Sequence, residues 1–371
     1  TIRDNIILLT PAILDEINQI VVKAGHSIIS PDKDPQLRGS CDSFVVETDV
    51  HYPTDTNLLF DAMRKMIRLI AIICSEVGIT AWRQSHHNIL KVKRLLRSVQ
   101  KLRRSTSKDE AKVQKRDEFI TAKHQNYIDV CQSFVIIRVK ETIRILRELG
   151  ILSMSQQLRL ITIEEYIRHA ERQIDQIRRR VVFDEKIPHE EKVFSIFQPH
   201  TEWISKGKAG VPQELGLGVC VHKDQFGFIL HHRVMLQQTD DKLAVVMIQE
   251  TKDRFENLVG SSFDRGFYSP ENKSQLAEIL DYVVLPKKGR LSVKDKEIEQ
   301  SEEFVESRRK HSAVESSINA LENHGLDRCL DHGLHGFERY VALSVLARNI
   351  QILGHLLQQK ELKKQKRRKA A

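Results

Sequence analysis

CDSFVVETDVHYPTDTNLL, residues 41–59, sets four carboxylates (Asp42, Glu47, Asp49 and Asp55) around Phe44-Val45-Val46, a run that belongs in a buried strand. Buried charge is costly unless something pairs with it. The question is which acid sits on the sheet and what cation it awaits. Asp55 has a local explanation. Pro53-Thr54-Asp55-Thr56 opens a helix, with Leu58, Leu59, Ala62, Met63, Met66, Ile67, Ile70 and Ile73 at helical spacing, so Asp55 reads as an N-cap or first-turn acid. Periodicity alone does not separate Asp42 from Asp49.

Upstream, residues 5–24 read as helical, with Thr10-Pro11 suited to a helix start. Downstream, 83–187 contains no Pro and a single Gly, Gly150. Ile89, Val92, Leu95, Leu96, Val99 and Leu102 make one helical stripe, 119–149 a second helix and 163–181 a third. Such a block reads as antiparallel helices inserted into a host fold. After Pro188 the texture changes. Two β-rich runs, 215–221 and 226–236, joined by HKDQ, predict a hairpin. A helix over 243–255, a strand from 258 leading into Asp264, a helix over 269–280, a strand over 282–285 and a long helix over 297–323, broken near Gly325, complete the pattern. The expectation is an α/β fold interrupted in sequence. Its parts are an N-terminal helical segment 1–35, a core in two pieces (36–82 and 188–350), the helical insertion 83–187 and a basic tail 351–371.

The 371 residues carry a net charge of +9, unevenly placed. Residues 81–180 hold 23 Lys and Arg against 11 Asp and Glu, and 360–371 hold 7 against 1. An acidic body with two basic segments points to a polyanion partner. The five cysteines form no C-x-x-C, which favours reduced thiols over structural zinc. No stretch approaches the ~20 uninterrupted apolar residues of a membrane span, and 340–357 reads as amphipathic because of Arg348, Asn349 and Gln351. With no signal peptide at its start, the chain is expected in the cytoplasm, with the nucleoid, and not in a membrane.

Three acids recur where regular elements end or face inward: Asp42 on the first strand, Asp264 at the end of a later one, and Glu315 at the edge of the stripe made by Ala313, Val314, Ile318 and Leu321. Carboxylates from neighbouring strand ends and a covering helix suit Mg²⁺ or Mn²⁺, hard cations that prefer oxygen. On spacing alone this is weak, since any chain of this length places acids at strand ends.

DSFVVETDVHYPTDTNLL, SFDRGFYSPEN, LPKKGR and HSAVESSINALENHGLDR together resemble the catalytic core of bacterial insertion-sequence transposases of the D-D-E type, and KVFSIFQPHTEWISKGKAG looks like the same family. The resemblance runs from about residue 31 to 349. It implies an RNase H-like mixed sheet flanked by helices, helices hosted after the first strand, and cleavage and joining of DNA by two divalent ions. Family members read Asp, then Ser or Ala, Thr, Val-Val-Glu, and an aliphatic residue eight positions after the Asp before His-Tyr-Pro-Thr-Asp. Asp42, with Val50 and His51-Tyr52-Pro53-Thr54-Asp55, fits; Asp49 becomes a turn residue and Glu47 the third choice. Phe44 departs from the usual Thr, and Glu322 stands where some relatives carry a DNA-touching Lys.

By that resemblance Asp42, Asp264 and Glu315 are catalytic metal ligands, and Gly266 lets the chain turn after Asp264. Expected phosphate contacts are Lys206, Lys208, Lys287, Lys288, Arg290, Arg308 and Arg309, with His311 facing DNA on the same helix. Trp203 is expected in hairpin packing, and His324, His332 and His335 as loop and helix-end residues. The partner is DNA, transposon ends and target, bound by a homodimer. The chain opens at Thr1 with no Met, the expectation being a trimmed chain without the family's N-terminal DNA-recognition region. Two rivals stand beside the transposase: an inactive DNA-binding remnant, and an RNase H-like nuclease without strand transfer.

Overall fold

The computed structural model describes residues 2–31, 34–150, 152–205 and 213–370. Along the chain the elements are α1 (Ile2–Leu8), α2 (Pro11–Ile29), β1 (Leu37–Thr48), α3 (Asp55–Val77), α4 (Ser85–Gln100), α5 (Glu110–Asp129), a π-helical segment (Val130–Ile137), α6 (Arg138–Glu148), α7 (Met154–Val182), β2 (Glu202–Ser205), β3 (Gln213–Asp224), β4 (Ile229–Met235), α8 (Asp240–Arg254), β5 (Leu258–Phe263), α9 (Pro270–Ile279), β6 (Tyr282–Val284), α10 (Val293–Gln300), α11 (Glu302–His311), α12 (Ala313–Leu321), β7 (Arg328–Cys329) and α13 (Gly333–Ala370). The class is α/β, a mixed sheet flanked by helices.

Two compact units divide these elements. One comprises residues 1–49 with 200–371, the other 50–199. In the first, β3 runs antiparallel to β1 and carries β2 and β4 on its other edge; β5 and β7 pair parallel with β1, and β6 with β5. Alternation along the strands covers both faces. Leu37, Cys41 and Cys220 point into a core with α8 residues Leu243, Met247 and Ile248. Phe44, Val46, Leu217, Val219 and Val221 point into another with Val314, Ile318, Phe337, Val341 and Val345 of α12 and α13. β1 carries both β5 and β7 on one edge. β5 pairs as far as Cys41 and β7 begins at Glu47, so the β1 edge between them is left open by both.

In the second unit α3 buries the whole stripe from Leu58 to Ile73, packing with α4, α6 and α7. The compact helical unit runs over 50–199, wider than the expected insertion 83–187, and takes in α3. An apolar stripe announces a face to be buried but not the element that buries it. Trp82 Nε1–H donates to Thr142 Oγ1 at 3.0 Å and Tyr127 O–H to the Thr56 carbonyl at 3.0 Å, fixing α3 and α4 against the helices that follow.

Local chemistry sets most boundaries. Thr10 Oγ1 accepts the Ile13 N–H and Pro11 takes the first turn, so the expected helix over 5–24 becomes α1 and α2. Ser153 and Gln156 form a capping box that starts α7 at Met154, ahead of the apolar stripe. The expected long helix 297–323 is three helices, because Ser301 leaves helical geometry to cap α11 and α11 ends at Ser312. α13 contains a window long and apolar enough to cross a membrane by length and composition. Its Phe337, Val341 and Val345 are buried beside the sheet.

Candidate active site

β1 disposes of its acids in different ways. Glu47 accepts from Arg328 at 2.8 Å, and Asp49 lies 3.9 Å from the same guanidinium. Asp55 opens α3 and pairs with Arg180 at 2.9 Å. Asp42, half-buried, has no cationic partner among the described residues; its Oδ1 accepts only the Ser43 N–H, at 2.8 Å.

Strand register places the second acid. Cys41 pairs with Phe263 in the parallel β1–β5 ladder, so Asp42 and Asp264 are the next residues along two neighbouring strands, which run about 4.8 Å apart. There β5 stops. Asp264 caps a 3₁₀ turn, its Oδ1 accepting the Arg265 N–H at 2.7 Å, and is exposed. The backbone here runs close to α8: a Cβ on Gly266 would stand 2.9 Å from Asp240 Oδ2. Asp240, in the first turn of α8, also accepts Ser43 Oγ–H at 2.7 Å. It is a fourth acid of this group that the sequence reading passed over, because Thr239-Asp240-Asp241 looks like an ordinary helix opening. Its only signal is a helix start beside a glycine twenty-six positions later, which requires the tertiary pairing to see.

Glu315 lies exposed in the first turn of α12. Ser40 Oγ and Ser262 Oγ stand 2.9 Å apart, and Ser262 Oγ meets His311 Nδ1 at 3.0 Å. That chain of contacts ties the end of α11, and with it the start of α12, to the face of β1 and β5 that carries Asp42 and Asp264. Lys223, paired in register with Ser40, donates to the Ala313 carbonyl at 2.7 Å and holds the same junction.

The electrostatics follow. Burial, then the charges of Asp264, Asp240 and Glu315, push the Asp42 carboxyl up to about 6 against the opposing Ser43 N–H. Burial and then Asp264 and Asp241 raise Asp240, although the Ser43 hydroxyl works against the shift. Burial holds His311 below its usual range, while Asp264 and Glu315 pull it back. The structure thus brings Asp42, Asp264 and Glu315 into one electrostatic neighbourhood with Asp240.

An all-oxygen donor set of this kind has the chemistry for a hard divalent cation. It is not a closed cage: among the described residues no three His, Cys, Asp or Glu side chains gather closely enough to hold an ion.

The expected DNA contacts scatter. Lys287 is committed to Asp295 at 2.6 Å, with its own N–H on Glu299, so its charge is already answered. Lys288, Arg290, Arg308 and Arg309 are exposed. Lys206 and Lys208 lie outside the described residues. Trp203 sits on β2, opposite Leu215 of β3. His324, His332 and His335 are exposed.

Compared with protein-family models, curated proteins and solved structures, the chain gives no match in any of the three.

Proposed function

We propose that this chain is a DNA transposase of the D-D-E type, its sheet an RNase H-like core, which cleaves phosphodiesters and transfers strands with the help of divalent cations. The observation that carries the reading is Asp42: a carboxylate at the point where β1 and β5 part, one residue past the last β1–β5 pair as Asp264 is, without a cationic partner among the described residues, in a field shared with Asp264, Asp240 and Glu315. Among the described residues none of the four acids enters an ion pair, and burial with like charge disfavours the ionised forms of Asp42 and Asp240. Their order in the chain follows the motifs that resemble the family.

Asp42, Asp264 and Glu315 would hold Mg²⁺ or Mn²⁺, two ions in the family's manner. Bound there, such ions activate the attacking water or 3′-hydroxyl and steady the leaving oxygen. The chain's own residues do the placing. Ser43 holds Asp42 through its N–H and Asp240 through its hydroxyl. His311, hydrogen-bonded to Ser262, sets where α12 presents Glu315. DNA is the substrate, and a homodimer on paired ends is the working form.

The test is nicking of supercoiled plasmid in Mg²⁺ or Mn²⁺. Asp264→Asn is expected to lower cleavage at least a hundredfold while circular dichroism stays unchanged; retained metal-dependent cleavage would refute the assignment. Joined products distinguish a transposase from a nuclease without strand transfer. Binding without cleavage under either metal would favour the inactive remnant.

A further inference from the structure

The helical unit carries a charged surface that the chemistry above does not use. Between Glu76 and Asp109 the sequence holds nine Lys and Arg and no carboxylate. α4 lies inside that stretch. At about 100° per residue, His87, Lys91, Arg94, Arg97 and Lys101 fall on one exposed face, Lys101 continuing the helical geometry one residue past the end. The opposite face, Asn88, Val92, Leu96 and Val99, is buried. The cations therefore stand on a helix whose orientation is set by packing.

Elsewhere in the same unit several cations are paired. On α7, Arg159 pairs with Glu76 at 2.7 Å, Arg179 with Glu185 at 2.6 Å and with Glu191, and Arg180 with Asp55 at 2.9 Å. Lys140 and Arg147 of α6 find Glu171 and Glu164. Among the described residues Lys91, Arg94, Arg97 and Lys101 enter no ion pair; Lys91 instead lies 3.9 Å over the Phe134 ring. The two amide side chains of α4, the type that pairs with adenine edges, are both engaged: Asn88 is buried and Gln100 donates to Asn57 at 2.7 Å.

We propose that the exposed face of α4 grips the phosphate backbone of duplex DNA without reading its sequence. From Lys91 to Lys101 the rise is about 15 Å, over which a duplex presents about nine phosphate charges, so each of the four cations can meet one. This rests on the reading of the chain as a DNA-acting protein, but it fails separately from it.

The experiment measures binding of the full chain, in EDTA, to a fluorescent 30-base-pair duplex of arbitrary sequence across a KCl series. The Arg94→Gln/Arg97→Gln/Lys101→Gln variant is expected to bind at least tenfold more weakly at 100 mM KCl, with the slope of log affinity against log salt reduced by about 2.7, that is about 0.9 for each of three lost phosphate contacts. Arg94→Lys/Arg97→Lys/Lys101→Arg should keep the wild-type slope. Should the triple glutamine variant misfold, Arg94→Gln alone should reduce the slope by about 0.9. No binding by the wild type, an unchanged slope in the glutamine variants, or tighter binding to anionic vesicles than to duplex would overturn the inference. Metal-dependent nicking by a wild type whose α4 variants bind normally would sink α4 alone. Salt-steep binding through α4 without nicking would sink the catalytic reading alone.

Discussion

The two ends of the paired edge of β1 carry acids and treat them oppositely. Where β7 begins, Glu47 and Asp49 share Arg328, an exposed arrangement any surface could carry. Where β5 ends, Asp42 is desolvated beside Asp264, Asp240 and Glu315 and receives one backbone N–H. The first end is ordinary charge pairing, worth little to stability. The second works against folding, since burial and the neighbouring carboxylates disfavour ionised Asp42. The helical unit repeats the contrast with the sign reversed: Arg159, Arg179 and Arg180 of α7 meet carboxylates, whereas Lys91, Arg94 and Arg97 of α4 enter no ion pair among the described residues.

The sharpest test of that contrast removes charge from each end in turn. Asp42→Asn keeps the Oδ1 that accepts the Ser43 N–H and deletes the charge its neighbours repel. In EDTA at pH 7.5 it should stabilise the protein by about 1–3 kcal/mol, since a carboxyl pushed up to about 6 disfavours its own ionised state by about that much. Thermal melting reads the change directly. Millimolar Mg²⁺ should then raise the wild-type melting temperature and leave the variant's unmoved, because a ligand stabilises only the state that binds it. A destabilised variant, or one that responds equally to Mg²⁺, would show that the acids are satisfied as they stand.

Acidity provides the next test. A carboxyl whose folded value lies above its unfolded one binds more protons when folded, so its presence favours folding at low pH. From near 4, the ordinary aspartate range, to about 6, the wild type in EDTA should lose this contribution as pH rises, and Asp42→Asn should not. The effect on catalysis has the opposite direction. Protonated Asp42 cannot serve as an anionic ligand, so cleavage at fixed, subsaturating Mg²⁺ should fall toward tenfold per unit as pH drops below about 6. A flat profile from pH 5 to 8 would remove Asp42 from the ligand set.

Much of this was legible in the chain, for reasons that can be named. The β1 run, the β3–β4 hairpin and the Thr10-Pro11 start are local signals, decided by alternation, β-branched residues and a cap. What escaped was non-local. Asp42 and Asp49 look alike in sequence; they part company only because β5 lies beside one and Arg328 beside the other. Asp240 matters because α8 returns its first turn to Ser43 and Gly266. Lys287 read as free until Asp295, eight residues on, claimed it. The apolar stripe of α3 was plain, but its burial among α4, α6 and α7 was not. Ser301 broke a helix that apolar spacing carried straight through, because a serine cap competes with helix continuation at no cost to the pattern, and a second break follows at Ser312.

The smallest effect lies at the balanced end of β1. Glu47→Gln removes one partner of an exposed pair whose Arg328 is half accessible, at 51%. Screening by water limits such a pair to less than about 1 kcal/mol, so the melting temperature should fall by no more than a few degrees, and less again in 0.5 M salt. Nicking should be unaffected, because Arg328 retains Asp49 nearby and β7 keeps its backbone pairing with Glu47 and Thr48. Loss of cleavage in Glu47→Gln while Asp42→Asn still cuts would exchange the roles of the two ends, and the functional acid of β1 would then be the paired one.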